Sequence, residues 1–261
     1  MDPIVQIGVF LVAPYLAVAL LVIGALYRLV QWLRPRRITG LRSVAIVPYT
    51  FGYGRVLWDL IKRVFGFYTL PKMEKDRVLI YGGMIFHYGI WVVLISHFGL
   101  VVPLPLTASQ HDFVGLYIGG TAGVLAFVGM LILIVRRLSL ERMRQLSNFE
   151  DYFTPGLLLL IMFFGLMQTL VIRPDYLNTV SPWLTSIIEF HPNLAPIASV
   201  GIFTILHVLV ACLFIAYIPW GKMVHWVGYL FNPSVTGPSF PVTTEKVRPL
   251  PGLEAHQGGS P

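Results

Sequence analysis

The sequence predicts an all-α integral membrane protein with five transmembrane helices, and three observations support this fold class. Hydrophobic residues make up 56% of the 261-residue chain and charged residues only 12%, whereas soluble domains carry roughly 25% charged residues. Five stretches without charged residues are each long enough to form a spanning helix, which needs about 20 apolar residues. The basic residues are concentrated in three of the remaining segments.

The five predicted spans are, in order, Pro3–Tyr27, Val78–Pro103, Phe113–Val135, Tyr152–Ile172 and Ala198–Gly221. The first has no basic region before its apolar core, so we expect a span and not a signal peptide. The fifth could continue as a helix to Tyr229. We therefore divide the chain into a five-helix domain, residues 1–230, and a tail, residues 231–261, that is ordered only if a partner holds it.

The connection formed by residues 28–77 is long and polar. Within it, Arg55–Phe65 places apolar side chains on one helical face and charged side chains on the other. This pattern predicts an amphipathic helix, either on the membrane surface or packed against a partner subunit.

Lysine and arginine indicate the orientation of the chain. Residues 28–77, residues 136–151 and the tail from residue 222 contain 11, four and three of the 19 Lys and Arg residues. By the positive-inside rule these regions face the cytoplasm. The amino terminus is then outside and the carboxyl terminus inside, as five spans require. The same topology explains the net charge of +7, so we predict a multi-pass protein of the cytoplasmic membrane and no nucleic-acid partner.

Four histidines occur as two pairs on two predicted helices. His87 and His97 lie on the second span, and His207 and His225 on the fifth. Because these helices are antiparallel, His87 matches His225 near the inner face and His97 matches His207 near the outer face. Histidine inside a membrane is costly unless it is functional, and iron with two axial imidazoles suits electron transfer. The pattern therefore predicts two b haems, with interhelical hydrogen bonds as the structural alternative.

The two histidine separations differ, which predicts a bend in the fifth span. Ten residues of helix rise about 15 Å and eighteen about 27 Å. Pro219 lies between His207 and His225, and proline commonly kinks a helix. We expect the bend at Pro219.

His111 and Asp112 begin the third span on the outer face, 14 residues after His97. Oxidation of a quinol needs a base to accept its proton while iron accepts the electron, and histidine titrates in the useful range. We therefore predict a quinol site at His111 and Asp112, with helix capping by the acidic residue as the alternative. His191, in the outer loop before the fifth span, is a weaker candidate.

The glycine-rich run of residues 119–123 predicts either close helix packing or room for a flat macrocycle. Arg77, Arg136, Arg137 and Lys222 lie at the cytoplasmic edge, where they could pair with haem propionates or anchor helix ends. The one cysteine, Cys212, excludes an internal disulfide and a c-type haem attachment.

Most of the chain resembles the gamma (cytochrome b) subunit family of membrane-bound respiratory nitrate reductase. The resemblance is carried by Phe86-His87-Tyr88-Gly89-Ile90, Ser96-His97-Phe98-Gly99, Leu206-His207-Val208-Leu209 and the stretch from Pro219 to His225-Trp226. It implies two b haems, inner on His87 and His225 and outer on His97 and His207, and quinol oxidation beside the outer haem. A lysine of that family lies near the quinol site, and His111 stands at its position here.

The resemblance also implies partners. Electrons would pass to a cytoplasmic iron–sulfur subunit and from it to a molybdopterin catalytic subunit, so this chain would hold no terminal reductase site. Residues 28–77 are longer than the matching connection of that family, and related cytochromes serve heterodisulfide reductase-like and sulfite reductase-linked complexes, which keeps a second partner class open. A haem-free anchor or transporter is the third alternative. The absence of charge at mid-depth in the spans disfavours a transporter.

Overall fold

Five helices in the computed structural model are long and apolar enough to cross a membrane, and the rest of the fold is built on them. Their bounds are Pro3–Gln31 (α1), Arg77–Phe98 (α2), Ala108–Ser139 (α3), Glu150–Ile172 (α4) and Ile202–Trp220 (α5). The prediction of an all-helical protein with five potential spans is confirmed. Within the described residues, three short helices lie between the spans: Leu70–Met73, Glu141–Leu146 and Val180–Ile188.

The structure describes residues 1–33, 58, 61–62, 64–67, 70–102 and 105–224. The predicted amphipathic helix Arg55–Phe65 falls largely outside this part of the chain. His225 and the tail, residues 231–261, also lie outside it.

The helices alternate in direction, so one end of the bundle carries most of the described basic residues. We call this the basic end, marked by Arg28, Arg77, Arg136 and Lys222. The opposite end holds the amino terminus, the end of α2 and the start of α5.

Each helix packs against its neighbour in the spatial order α2, α3, α4, α5, α1. Glycines allow the closest approach, between α2 and α3. A β-carbon on Gly89 would lie 2.6 Å from the Ala122 carbonyl oxygen, and one on Gly129 would lie 2.5 Å from the Phe86 nitrogen. Larger side chains at either glycine would force these two helices apart.

The third span begins earlier than predicted. Thr107, and not His111 or Asp112, caps α3, because its side chain accepts from the backbone N–H of Gln110 while the Gln110 side chain accepts from the backbone N–H of Thr107. This reciprocal capping box satisfies two donors that would otherwise be unpaired. The alternative in which Asp112 caps the helix is therefore wrong. His111 and Asp112 both lie about one turn inside α3.

Residues 174–201 cover the opposite end of the bundle. Trp183 of the short helix Val180–Ile188 is 4% exposed and donates from its indole nitrogen to the Phe10 carbonyl oxygen at 2.9 Å. Tyr15 donates to the Ile187 carbonyl oxygen at 3.0 Å. These bonds fix the covering segment to α1.

Ion pairs join the helices at the basic end. Arg136 of α3 contacts Asp76, which caps α2, at 2.7 Å. Asp151 of α4 contacts Lys222 at 2.7 Å and Arg137 at 3.4 Å. Arg136, Arg137 and Lys222 therefore bind carboxylates of neighbouring helices.

The predicted break at Pro219 is present. The regular α-helix of α5 ends at Tyr217, and a 3₁₀ turn follows at Ile218–Trp220. Gly221 then has an extended backbone, with φ −109° and ψ −175°. Arg28 holds this turn by donating to the carbonyl oxygens of Pro219 at 2.8 Å and Trp220 at 3.2 Å.

Candidate functional site

His97 and His207 lie close together near the opposite end of the bundle. Their ring centroids are 6.2 Å apart, and the ring planes differ by 17°. His97 lies at the end of α2 and His207 in the second turn of α5. The structure thus brings together one of the two histidine pairs that the antiparallel arrangement predicts.

The separation of the two rings fits ligation of one metal ion from opposite sides. Metal–imidazole nitrogen bonds are about 2 Å long, and a ring centroid lies roughly 1 Å behind its ligating nitrogen, so two such rings have centroids about 6 Å apart. In the described residues no group of three or more His, Cys, Asp or Glu side chains is placed to hold a metal ion. A haem iron needs only two protein ligands, because the macrocycle supplies the other four.

A backbone carbonyl fixes the tautomer of each described candidate ligand. The Nδ1 atoms of three histidines lie within hydrogen-bond distance of main-chain oxygens: His87 of Gly83 at 2.7 Å, His97 of Val93 at 2.7 Å, and His207 of Ile161 at 2.9 Å. A carbonyl oxygen only accepts, so each Nδ1 carries the proton and donates it. Nε2 then carries the lone pair, which is the arrangement of a metal-ligating histidine.

The helices that carry the pair are not direct neighbours in the described bundle. α2 packs mainly on α3, whereas α5 packs on α4 and α1. The two imidazoles therefore approach each other between helices whose main chains are not closely packed. This arrangement suits a flat group held between them.

His87 lies ten residues before His97, about 15 Å closer to the basic end along α2. Its ring contacts those of Phe67 and Phe86, with centroids 5.2 and 4.9 Å away. Its predicted partner, His225, is outside the described residues. One turn further along α2, the buried indole nitrogen of Trp91 has no hydrogen-bond partner among the described residues. A buried N–H without an acceptor is costly, and a bound polar group would satisfy it.

The structure does not join His111 or Asp112 to the histidine pair. Within the described part of the chain, no hydrogen bond or ring contact links His111 to His97 or His207. The side chain of Asp112 is exposed. Their assignment to a quinol site stays a prediction.

The glycine run of α3 packs against neighbouring helices. A β-carbon on Gly123 would lie 3.0 Å from Leu166 of α4, and one on Gly120 would lie 3.0 Å from Leu170. These contacts agree with the prediction of close helix packing.

Sequence reasoning missed two residues of α4 that contact α5: Gly165, beside His207, and Gln168, which bonds to Thr204. A β-carbon on Gly165 would lie 3.1 Å from Cε1 of His207. Gln168, 5% exposed, accepts at Oε1 from the hydroxyl of Thr204, 4% exposed, at 2.9 Å. The polar residue Gln168 in an apolar span was a detectable signal, whereas no sequence pattern distinguishes Gly165 from a packing glycine.

Comparison with known proteins places these features in a family. Residues 55–237 match the family model described as nitrate reductase gamma subunit. This range includes the four candidate haem ligands and His111. A nitrate reductase gamma chain of Bacillus subtilis is 31% identical over an alignment that covers 59% of this chain and 73% of the relative.

Two archaeal relatives align over more of the chain. Each is named an Hdr-like menaquinol oxidoreductase cytochrome b-like subunit. The protein of Archaeoglobus fulgidus is 30% identical over 90% of this chain and 81% of its own length. The protein of Archaeoglobus profundus is 24% identical over 88% of this chain and 79% of its own length. These relatives are subunits of respiratory oxidoreductase complexes.

Proposed function

Because the chain belongs to the nitrate reductase gamma subunit family, we propose that it is the dihaem cytochrome b subunit of a respiratory oxidoreductase. In this function it oxidises quinol at the outer face of the cytoplasmic membrane. It passes the electrons inward to a partner on the cytoplasmic side.

The observation that carries the proposal is the geometry of His97 and His207. Their centroid separation of 6.2 Å and their carbonyl-bound Nδ1 atoms support ligation of one outer haem iron by both Nε2 atoms. His87, with the same Nδ1 arrangement, is the proposed ligand of an inner haem together with His225. Bound haem would supply a one-electron acceptor at each of these sites.

The remaining chemistry belongs to side chains at the outer face. The positive-inside rule supports a cytoplasmic basic end, and in the proposed orientation the pair His97–His207 is on the outer side. There His111 is the proposed base that accepts a proton from the quinol hydroxyl, with Asp112 beside it as a proton acceptor or positioning group. Protons released on this side would contribute to the membrane potential.

Haem quantification on the purified chain, followed by addition of quinol, tests the proposal. We expect two b haems per chain and reduction of both by quinol. A chain that binds haem but is not reduced by quinol would exclude the quinol-oxidising role. A haem-loaded preparation with one haem would show that one histidine pair is structural, and complete absence of haem would favour the anchor function.

Two partner classes follow from the relatives. The family model favours an iron–sulfur subunit and a molybdopterin catalytic subunit of the nitrate reductase type. The alignment over 90% of the chain with an Hdr-like menaquinol oxidoreductase subunit favours a complex of that second type. Proteins that purify with the chain from its native membrane distinguish them, since only the first class contains a molybdopterin subunit.

A further inference from the structure

The imidazole of His207 is seated against one turn of α4. Its Nδ1 donates to the carbonyl oxygen of Ile161 at 2.9 Å. Four residues further along the same helix, a β-carbon on Gly165 would lie 3.1 Å from Cε1 and 3.4 Å from Nδ1 of the ring. One helical turn therefore supplies both the acceptor for the ring and the space that the ring occupies. We call Ile161 and Gly165 the α4 notch.

The notch has little room for any other residue. Distances of 3.1–3.4 Å from a new β-carbon are tighter than ordinary van der Waals contact, so an alanine would push the ring by a few tenths of an ångström. The ring cannot yield freely, because its Nδ1 bond to Ile161 is on the same side. Displacement would lengthen that bond, rotate the ring, or do both.

The two histidines of the pair are oriented by different means. His97 donates to Val93, a residue of its own helix, one turn earlier. His207 donates to another helix, 46 residues away in the chain. The 17° angle between the ring planes thus depends on α4, a helix that contributes no ligand itself.

We propose that Gly165 is a positioning residue for His207, and that the α4 notch sets the imidazole plane that His207 presents to the outer haem. This inference rests on the proposed function. The relative orientation of two axial imidazoles influences the low-spin EPR signal of ferric haem, and hydrogen bonding at Nδ1 influences its potential. Gly165 acts through His207 and has no proposed contact with substrate.

The test compares Gly165→Ala with Gly156→Ala in the full haem-loaded chain. Gly156 is on the same helix, and a β-carbon there would have no neighbour within 4 Å, so it is a matched control for the glycine-to-alanine change. Haem content, EPR and midpoint potentials are measured for both haems. We expect Gly165→Ala to shift the EPR signal and potential of the outer haem, or to lose that haem, with the inner haem unchanged. Gly156→Ala should match the wild type.

An unchanged outer haem in Gly165→Ala would overturn the proposal. If that variant loses both haems, His207→Ala combined with Gly165→Ala decides the question, because removal of the ring removes the clash. The double variant should then retain the inner haem and have the same Tm as His207→Ala alone. Loss of the inner haem, or a Tm lower than that of His207→Ala, would assign Gly165 to general packing and overturn its positioning role. Failure of the proposed function is distinguishable, since it would appear in the wild type itself, as absence of haem or as haem that quinol does not reduce.

Discussion

The imidazole of His97 lies 6.2 Å from that of His207, centroid to centroid, with 109 residues of chain between them. If both ligate one iron, then His97→Ala and His207→Ala should each reduce the haem content from two to one and leave the same haem behind. A pyridine haemochrome assay and a redox titration check this. His191→Ala, in an exposed segment, is the control and should keep both haems. Loss of different haems in the two variants would refute the pairing.

His111 is predicted to act in proton transfer and not in haem binding. His111→Ala should lower quinol-dependent turnover at least tenfold, because general bases contribute about 10²- to 10⁴-fold, while both haems remain. Ser109→Ala, in the same turn, controls for disturbance of the helix. Unchanged turnover in His111→Ala would assign this histidine a structural role.

Arg28 is expected to stabilise the turn that precedes His225. Its guanidinium binds the carbonyl oxygens of Pro219 and Trp220, so Arg28→Ala should lower Tm by about 2–4 °C for each kcal/mol lost and reduce occupancy of the inner haem selectively. Arg28→Lys should restore part of the Tm and part of the inner-haem occupancy. Arg173→Ala, at the opposite end, is the control. Equal loss of both haems in Arg28→Ala would contradict the selective effect.

The buried bond between Gln168 and Thr204 joins α4 to α5. Thr204→Val leaves the Gln168 amide oxygen without its donor and should cost about 1 kcal/mol. Adding Gln168→Leu removes the second polar group, so the double variant should regain part of the lost stability. Thermal unfolding in detergent measures both. A double variant less stable than Thr204→Val would show that Gln168 has another function.

The ion pair between Asp76 and Arg136 should give a pH-dependent stability. The hydrogen bond from Arg136 lowers the pKa of Asp76 below its ordinary value of 3.8. A lowered folded-state pKa stabilises the protein above the ordinary value, and this contribution disappears as pH falls through the folded-state pKa. Asp76→Asn retains helix-capping ability but should have a lower Tm at pH 7, with the difference from wild type vanishing in acid. A difference that persists once Asp76 is protonated in the folded protein would point to capping instead.

Length and charge were sufficient to predict the five helices, because a lipid core requires long apolar segments. The break at Pro219 was also predictable, since proline cannot donate the backbone hydrogen bond that continues a helix. The uncharged stretch alone predicts too late a start for α3, because the helix begins at the capping box from Thr107 to Gln110, before that stretch. That local signal was present in the sequence.

Antiparallel topology predicted that His97 and His207 would meet. The α4 notch could not be predicted in the same way. It depends on the rotation of α4 about its own axis, which decides whether Gly165 faces a histidine or a leucine. Such a rotation is set by packing against several helices together, and a single sequence does not encode it in a recognisable pattern.

The contact between α1 and α5 has a consequence for biogenesis. Gly24 lies so close to Pro219 that a β-carbon on it would approach the Pro219 ring to 2.4 Å, so α1 can pack in this position only after α5 has been made. The contact between His97 and His207 likewise forms only after α5 has been made. An intermediate that has inserted α1 to α4 therefore holds an incomplete bundle, in which His97 has no His207 beside it. If this histidine pair binds a haem, as we propose, that haem can be held by both of its ligands only after α5 has been made.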